Sequence, residues 1–79
     1  MQVRLYVKPG CPLCDEARDW LEDLGLRALE VNILQDEATY WRFKDTVPVV
    51  EAQGRTLIMP FTRRRLRAWL ARLAVPGSP

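Results

Sequence analysis

The sequence predicts an α/β domain in the order β-α-β-α-β-β-α, a four-stranded mixed sheet flanked by helices. Three observations carry that expectation. Val3, Leu5 and Val7 alternate with Arg4, Tyr6 and Lys8, the period of a strand packed on one face. After a Pro9-Gly10 break, Ala17, Trp20, Leu21 and Leu24 fall at i, i+3, i+4 and i+7, the period of a helix. Further on, two β-type runs flank the turn dipeptide Gln53-Gly54 and read as a hairpin.

The first helix starts at Pro12, whose missing N–H is no loss in a first turn, and Asp15 and Glu16 suit its positive end. Gly25 marks its stop. Residues 27–34 carry Leu29, Val31 and Ile33 on alternate positions and are expected as a second strand. Strand, helix and strand form a right-handed βαβ unit with parallel strands. Asp36 is placed to cap a short second helix through Ala38, Tyr40, Trp41 and Phe43. Thr46 to Val50 and Arg55 to Met59 are the expected hairpin strands, and Pro60 ends the second. Thr62 then caps a last helix with the apolar stripe Leu66, Trp69, Leu70 and Leu73.

With 79 residues the chain builds one core, expected over 1–75, and residues 76–79 (Pro76-Gly77-Ser78-Pro79) read as a fraying tail. Hydrophobic residues at 48% and charged residues at 28% are ordinary globular composition and argue against intrinsic disorder. Charges interrupt every apolar stretch, so a membrane span is excluded, and the strand-like pattern beginning at Gln2 leaves no room for a signal peptide. The expected location is cytoplasmic and the expected state monomeric. Ten Arg and two Lys give a net charge of only +2, too mild by itself to imply nucleic acid. There is no His, which removes the commonest general base and the commonest metal ligand.

Function is legible at one place. Cys11 and Cys14, the only cysteines, sit where the first strand hands over to the first helix. Cys11 falls near the N-cap, where free N–H groups and the macrodipole favour an anion, and thiols so placed have pKa values lowered from ~8.5 into the range ~3.5–7.5. Lys8 adds positive charge; Asp15 and Glu16 oppose it. One helical turn brings the two Cα atoms within the ~4.4–6.8 Å that a disulfide tolerates. Cys11 can then attack a substrate disulfide as thiolate, and Cys14 can resolve the mixed disulfide. Two other readings stay open. A Cys11–Cys14 staple closes so short a loop that it adds only about 2 kcal/mol. A metal or iron–sulfur site needs ligands from outside the chain, such as a dimer bridged through the cysteine pair, because two thiolates without His leave zinc incomplete.

Lys8-Pro9-Gly10-Cys11-Pro12-Leu13-Cys14, taken with Thr46-Val47-Pro48, resembles the glutaredoxins of the thioredoxin superfamily, in particular the short bacterial glutaredoxin-like proteins. The element order agrees along nearly the whole chain. The resemblance implies a thioredoxin-like fold, with Cys11 as nucleophile and Cys14 as resolving thiol. It implies that Pro48 is cis and faces the cysteine pair, leaving the Val47 backbone free to pair with an extended substrate. Lys8, Pro12, Leu13, Thr46, Val47, Pro48 and Thr62 are the implied substrate-binding positions. Three residues depart from the pattern. Leu13 stands where typical glutaredoxins have Tyr. Ile58-Met59-Pro60-Phe61-Thr62 replaces the Gly-Gly and Asp that hold the γ-glutamyl end of glutathione. Leu5 stands where thioredoxins carry a buried Asp.

The resemblance implies no tightly bound cofactor and no metal, glutathione being open as co-substrate. Expected partners are protein or low-molecular-weight disulfides, with glutathione or a reductase of the thioredoxin-reductase type as electron source. The cluster Arg63-Arg64-Arg65-Leu66-Arg67 is expected to be a solvated helical face, with docking of a protein partner the next reading and nucleic acid third. Trp20 and Trp69 read as core, and Tyr40, Trp41 and Phe43 as mainly packing. Arg42 and Lys44 read as solvated charges, the alternative being contact with a glutathione carboxylate.

Overall fold

In the computed structural model, which describes residues 2–74, the alternation of Val3, Leu5 and Val7 becomes β1 (Val3–Val7), a central strand. The other elements are α1 (Pro12–Asp23), β2 (Leu29–Asn32), α2 (Glu37–Phe43), β3 (Val49–Ala52), β4 (Arg55–Ile58) and α3 (Arg63–Ala74). The sheet runs β2-β1-β3-β4, with β1 parallel to β2 and antiparallel to β3, and β3 antiparallel to β4. The expected element order holds. Val75 and the tail at 76–79 lie outside the described residues.

Alternation along β1 decides which helix goes where. Val3, Leu5 and Val7 point to one face, with Val50, Ala52 and Leu57 of the neighbouring strands. That face is covered by α1 through Cys14, Ala17 and Leu21, and by α3 through Leu66 and Leu70. Tyr6 points to the other face, in the cross-strand row Val31, Tyr6, Val49, Ile58. There it meets Phe43 of α2, their rings 4.7 Å apart, and the buried Ile33. A helix of seven residues is only about 10 Å long and covers little more than this row. The next row, Leu29, Arg4, Glu51, Thr56, carries the Arg4–Glu51 ion pair at 3.5 Å and leaves Leu29 53% exposed. Trp20 and Trp69 are half-buried at the edge of the larger cluster rather than inside it, Trp20 against Phe61 at 6.1 Å.

Three strands are shorter than the pattern suggests, β4 by a single residue, ending at Ile58 instead of Met59. The second stops at Asn32, whose side chain accepts the Leu34 N–H at 2.9 Å and starts a 3₁₀ turn, Ile33–Gln35. Ile33 is therefore buried from a turn, not from a strand. The third begins at Val49 instead of Thr46. The Thr46 and Val47 N–H groups both turn back to the Phe43 carbonyl, at 3.0 and 3.2 Å, and Pro48 has no N–H to give a ladder.

The ends of the elements follow their local chemistry. Gly25 and Leu26 donate to the Glu22 and Leu21 carbonyls, the paired bonds of a Schellman stop. Asp36 accepts the Thr39 N–H as the cap of α2. Arg18 donates to both Glu30 oxygens at 2.6 and 2.8 Å and to Asp15 at 2.7 Å, tying α1 to β2. That hydrogen bonding holds the Glu30 carboxyl below its ordinary range. The hairpin turns through Gln53 at φ 56° and Gly54 at φ 74°, both left-handed, as a two-residue type I′ connection requires.

Two stability measurements follow from these contacts. Gln53 holds a left-handed conformation that a Cβ disfavours, so Gln53→Gly is expected to stabilise the fold by about 0.5–1 kcal/mol in urea unfolding. A carboxyl with a lowered folded pKa adds stability above its unfolded value and loses it as pH falls through the folded one. Glu30→Gln is thus expected to cost on the order of 0.5–1 kcal/mol near neutral pH, its Arg18 partner being 35% exposed. That cost disappears in melts below the lowered Glu30 pKa.

Candidate active site

The strand-to-helix junction is built around Cys11. Gly10 takes φ 71°, a conformation that favours glycine, and turns the chain from β1 into α1. Cys11 is the N-cap, with extended backbone at φ −108° and ψ 101°, and Pro12 opens the helix. The Cys11 Sγ accepts the Cys14 N–H at 3.1 Å, where Ser or Asp would stand in an ordinary cap. The Cys11 carbonyl accepts from Cys14 and Asp15 at 3.1 and 3.2 Å. A sulfur at this position faces a backbone donor and the positive end of the helix, which favours its thiolate.

Cys11 and Cys14 are joined as a disulfide, their Cα atoms 5.2 Å apart. Their environments differ. Cys14 is 1% exposed among Ala17, Leu21 and Leu5, whereas Cys11 is half-buried and lies against that cluster from outside. Leu13, between them, is 49% exposed and presents an apolar side chain beside the pair.

The second segment, Thr46-Val47-Pro48, links α2 to β3. The Val47–Pro48 bond is cis and Pro48 is fully buried. Val47 packs against the cluster that holds Cys14 and also against the one under α2. Its backbone is not wholly free, contrary to expectation, because its N–H is held by Phe43. Its carbonyl accepts no backbone hydrogen bond among the described residues. The Thr46 hydroxyl also donates to the Phe43 carbonyl, at 3.4 Å, so three donors converge on that oxygen. The Phe43 carbonyl is free for them because the helix ends there and the last carbonyls of a helix lack intrahelical partners.

Lys8 has a partner of its own. Its Nζ donates to the Lys44 carbonyl at 3.3 Å, across the gap between the strand leading to Cys11 and the end of α2. Lys44 pairs with Asp45 at 2.8 Å, and Lys44 first, then Lys8, holds the Asp45 carboxyl below its ordinary range. Arg42 lies over the Phe43 ring at 4.7 Å. Trp41 is 63% exposed and Tyr40 half-buried, their rings edge-on at 5.3 Å, so of the three aromatics only Phe43 is core.

Within residues 58–62, the stretch that departs from the glutaredoxin pattern, this chain places a second cis bond, Met59–Pro60, which no sequence pattern announced. The Met59 Sδ accepts the Phe61 N–H at 3.2 Å, and Phe61 is buried in the same cluster as Cys14. The Thr62 hydroxyl accepts the Arg65 N–H at 3.1 Å as the cap of α3, the role its position predicts. Among the described residues no three His, Cys, Asp or Glu side chains gather as a metal site. No helix of those residues is long and apolar enough to cross a membrane.

The family model described as "Glutaredoxin-like domain (DUF836)" matches residues 2–71. The chain belongs to this glutaredoxin-like family. It is similar to the Northeast Structural Genomics target protein XcR50 from X. campestris, at 36% identity. The X-ray structure of that protein matches with a TM-score of 0.82 over 89% of this chain and 96% of the other. Its solution structure matches with 0.80 over 99% and 100%. A glutaredoxin from Archaeoglobus fulgidus, 18% identical, shares the fold with a TM-score of 0.67 over 87% of this chain and 85% of that one. The thioredoxin-like fold is thus established, and a glutaredoxin-like domain with its two cysteines adjacent in space is compatible with redox function.

The burial difference has a direct readout. In the reduced protein at mildly acidic pH, iodoacetamide is expected to modify Cys11 at least about tenfold faster than Cys14, read by mass spectrometry. Equal rates at the two thiols would show that burial and capping do not distinguish them.

Proposed function

We propose that this domain is a dithiol–disulfide oxidoreductase with Cys11 as nucleophile and Cys14 as resolving thiol. The observation that carries the reading is the asymmetry of the pair: a half-buried, backbone-capped cysteine next to a fully buried one. The Cys11 thiolate attacks one sulfur of a substrate disulfide, forming a Cys11–substrate bond while the other substrate sulfur leaves as thiolate and takes a proton from water. Cys14 then gives up its proton and attacks the Cys11 sulfur, expelling the second substrate thiolate. Two electrons have passed to the substrate, and the Cys11–Cys14 disulfide remains. Two thiols, or one external dithiol, reduce it and close the cycle.

The substrate meets the exposed side chain of Leu13 and the Val47 carbonyl, with Pro12 and Pro48 shaping the approach. Thr46 shapes the Val47 turn through Phe43, and Lys8 braces the two segments through Lys44. Thr62 holds α3. Disulfides of proteins or small molecules are the substrate class, and a reducing compartment such as the cytoplasm suits the chemistry. Glutathione and a reductase of the thioredoxin-reductase type are the two electron sources to compare, since the stretch Ile58-Met59-Pro60-Phe61-Thr62 lacks the glycine pair of typical glutaredoxins.

Reduction of a mixed peptide disulfide tests this. Cys11→Ser is expected to lower the rate at least about a hundredfold, since the attacking thiolate is gone. Cys14→Ser is expected to retain the first attack and accumulate a covalent Cys11–peptide adduct visible by mass spectrometry. Equal residual rates in both variants, with no adduct, would overturn the assignment.

A further inference from the structure

The charge of this chain is divided between two neighbouring helices. α3 carries Arg63, Arg64, Arg65, Arg67 and Arg72 and no carboxylate, whereas α1 carries Asp15, Glu16, Asp19, Glu22 and Asp23 against the single Arg18. All five arginines and all five carboxylates are exposed, and the rest of the chain is almost neutral. Both helices pack on the same face of the sheet within one cluster. The solvent side of that face is therefore an acidic stripe beside a basic one.

Asp15 and Glu16 at the start of α1 and Arg72 at the end of α3 suit their helices, but much of each stripe works against its own. Glu16, Asp19 and Asp23 follow one another at i, i+3 and i+7, and Arg67 lies three and four residues after Arg64 and Arg63, so like charges adjoin. Three of the arginines open α3 and two of the carboxylates close α1, each against the helix macrodipole. Within the chain the stripes meet only at Arg63–Asp23, 3.9 Å apart, among the described residues. That contact lies at the C-terminal end of α1, roughly 18 Å along the helix from Cys11 by its rise per residue, whereas Asp15 and Glu16 begin the acidic stripe in the first turns beside the cysteine pair.

We propose that two copies of this chain associate face to face through α1 and α3. The two-fold axis runs along the helices, setting α1 of each protomer against α3 of its partner. A surface bearing both signs side by side complements itself in this arrangement, and the alternative axis across the helices sets like charge against like. Of the exposed large apolar side chains Leu13, Leu29, Leu34, Trp41 and Ile58, only Leu13 lies on either helix. The contact is therefore polar, weak and sensitive to salt. This inference does not rest on the redox reading.

Sedimentation equilibrium of the intact chain at about 0.3 mM, with reductant present to exclude intermolecular disulfides, tests it. In about 20 mM salt the weight-average mass is expected well above that of one chain, and in about 0.5 M salt close to it. The double variants Arg64→Glu/Arg67→Glu and Glu16→Lys/Asp19→Lys are each expected to stay monomeric, and an equimolar mixture of the two to associate again. A single-chain mass at low salt, association unmoved by salt, or two folded variants that fail to associate when mixed would each overturn the proposal. The wild-type salt series decides the matter if thermal melting shows a variant to be unfolded. A charge pattern serving only contact between α1 and α3 within one chain would move those melting temperatures and leave the mass unchanged, which also overturns it.

Discussion

Burial of one face of β1 is the constraint on which the rest of this structure depends. β1 is paired on both edges, so its alternation decides the identity of both faces of the sheet at once. Val3, Leu5 and Val7 require two helices on one side, and Tyr6 requires the short α2 on the other. The same strand also positions the cysteine pair. Its last residue is followed by a glycine turn that delivers Cys11 to the start of α1. A slip of one residue in β1 would exchange its faces and carry the cysteines with them.

The cysteine pair joins fold and chemistry at one point. The Cys14 N–H that starts α1 is bonded to the Cys11 sulfur, so the helix that packs the core also holds that sulfur. One turn later the buried face of that helix receives Cys14 beside Ala17 and Leu21. The difference between the two thiols thus comes from helix geometry, with no histidine involved.

Local patterns made much of this legible. The spacing of Ala17, Trp20, Leu21 and Leu24 identified α1, and Asp36 and Thr62 announced their caps because a short polar side chain before an apolar stripe has few other uses there. The junction position of Cys11 could be read because strand and helix periods meet at Pro9-Gly10. Leu29, Val31 and Ile33 misled, since alternation cannot tell a strand from a strand that closes into a 3₁₀ turn. The turn owes its place to Asn32 and to the space under α2 that Ile33 fills.

By itself the sequence determined the element order, the inward face of each principal helix and the position of Cys11 at a helix start, because each of these follows from neighbours within a few residues. Tertiary structure alone decided the length of β2, the start of β3, the engagement of the Val47 N–H with Phe43 and the reach of Lys8 to Lys44. Those depend on backbone donors and carbonyls that meet only once the chain has folded, and a side-chain pattern carries no record of where an unpaired N–H will find its acceptor.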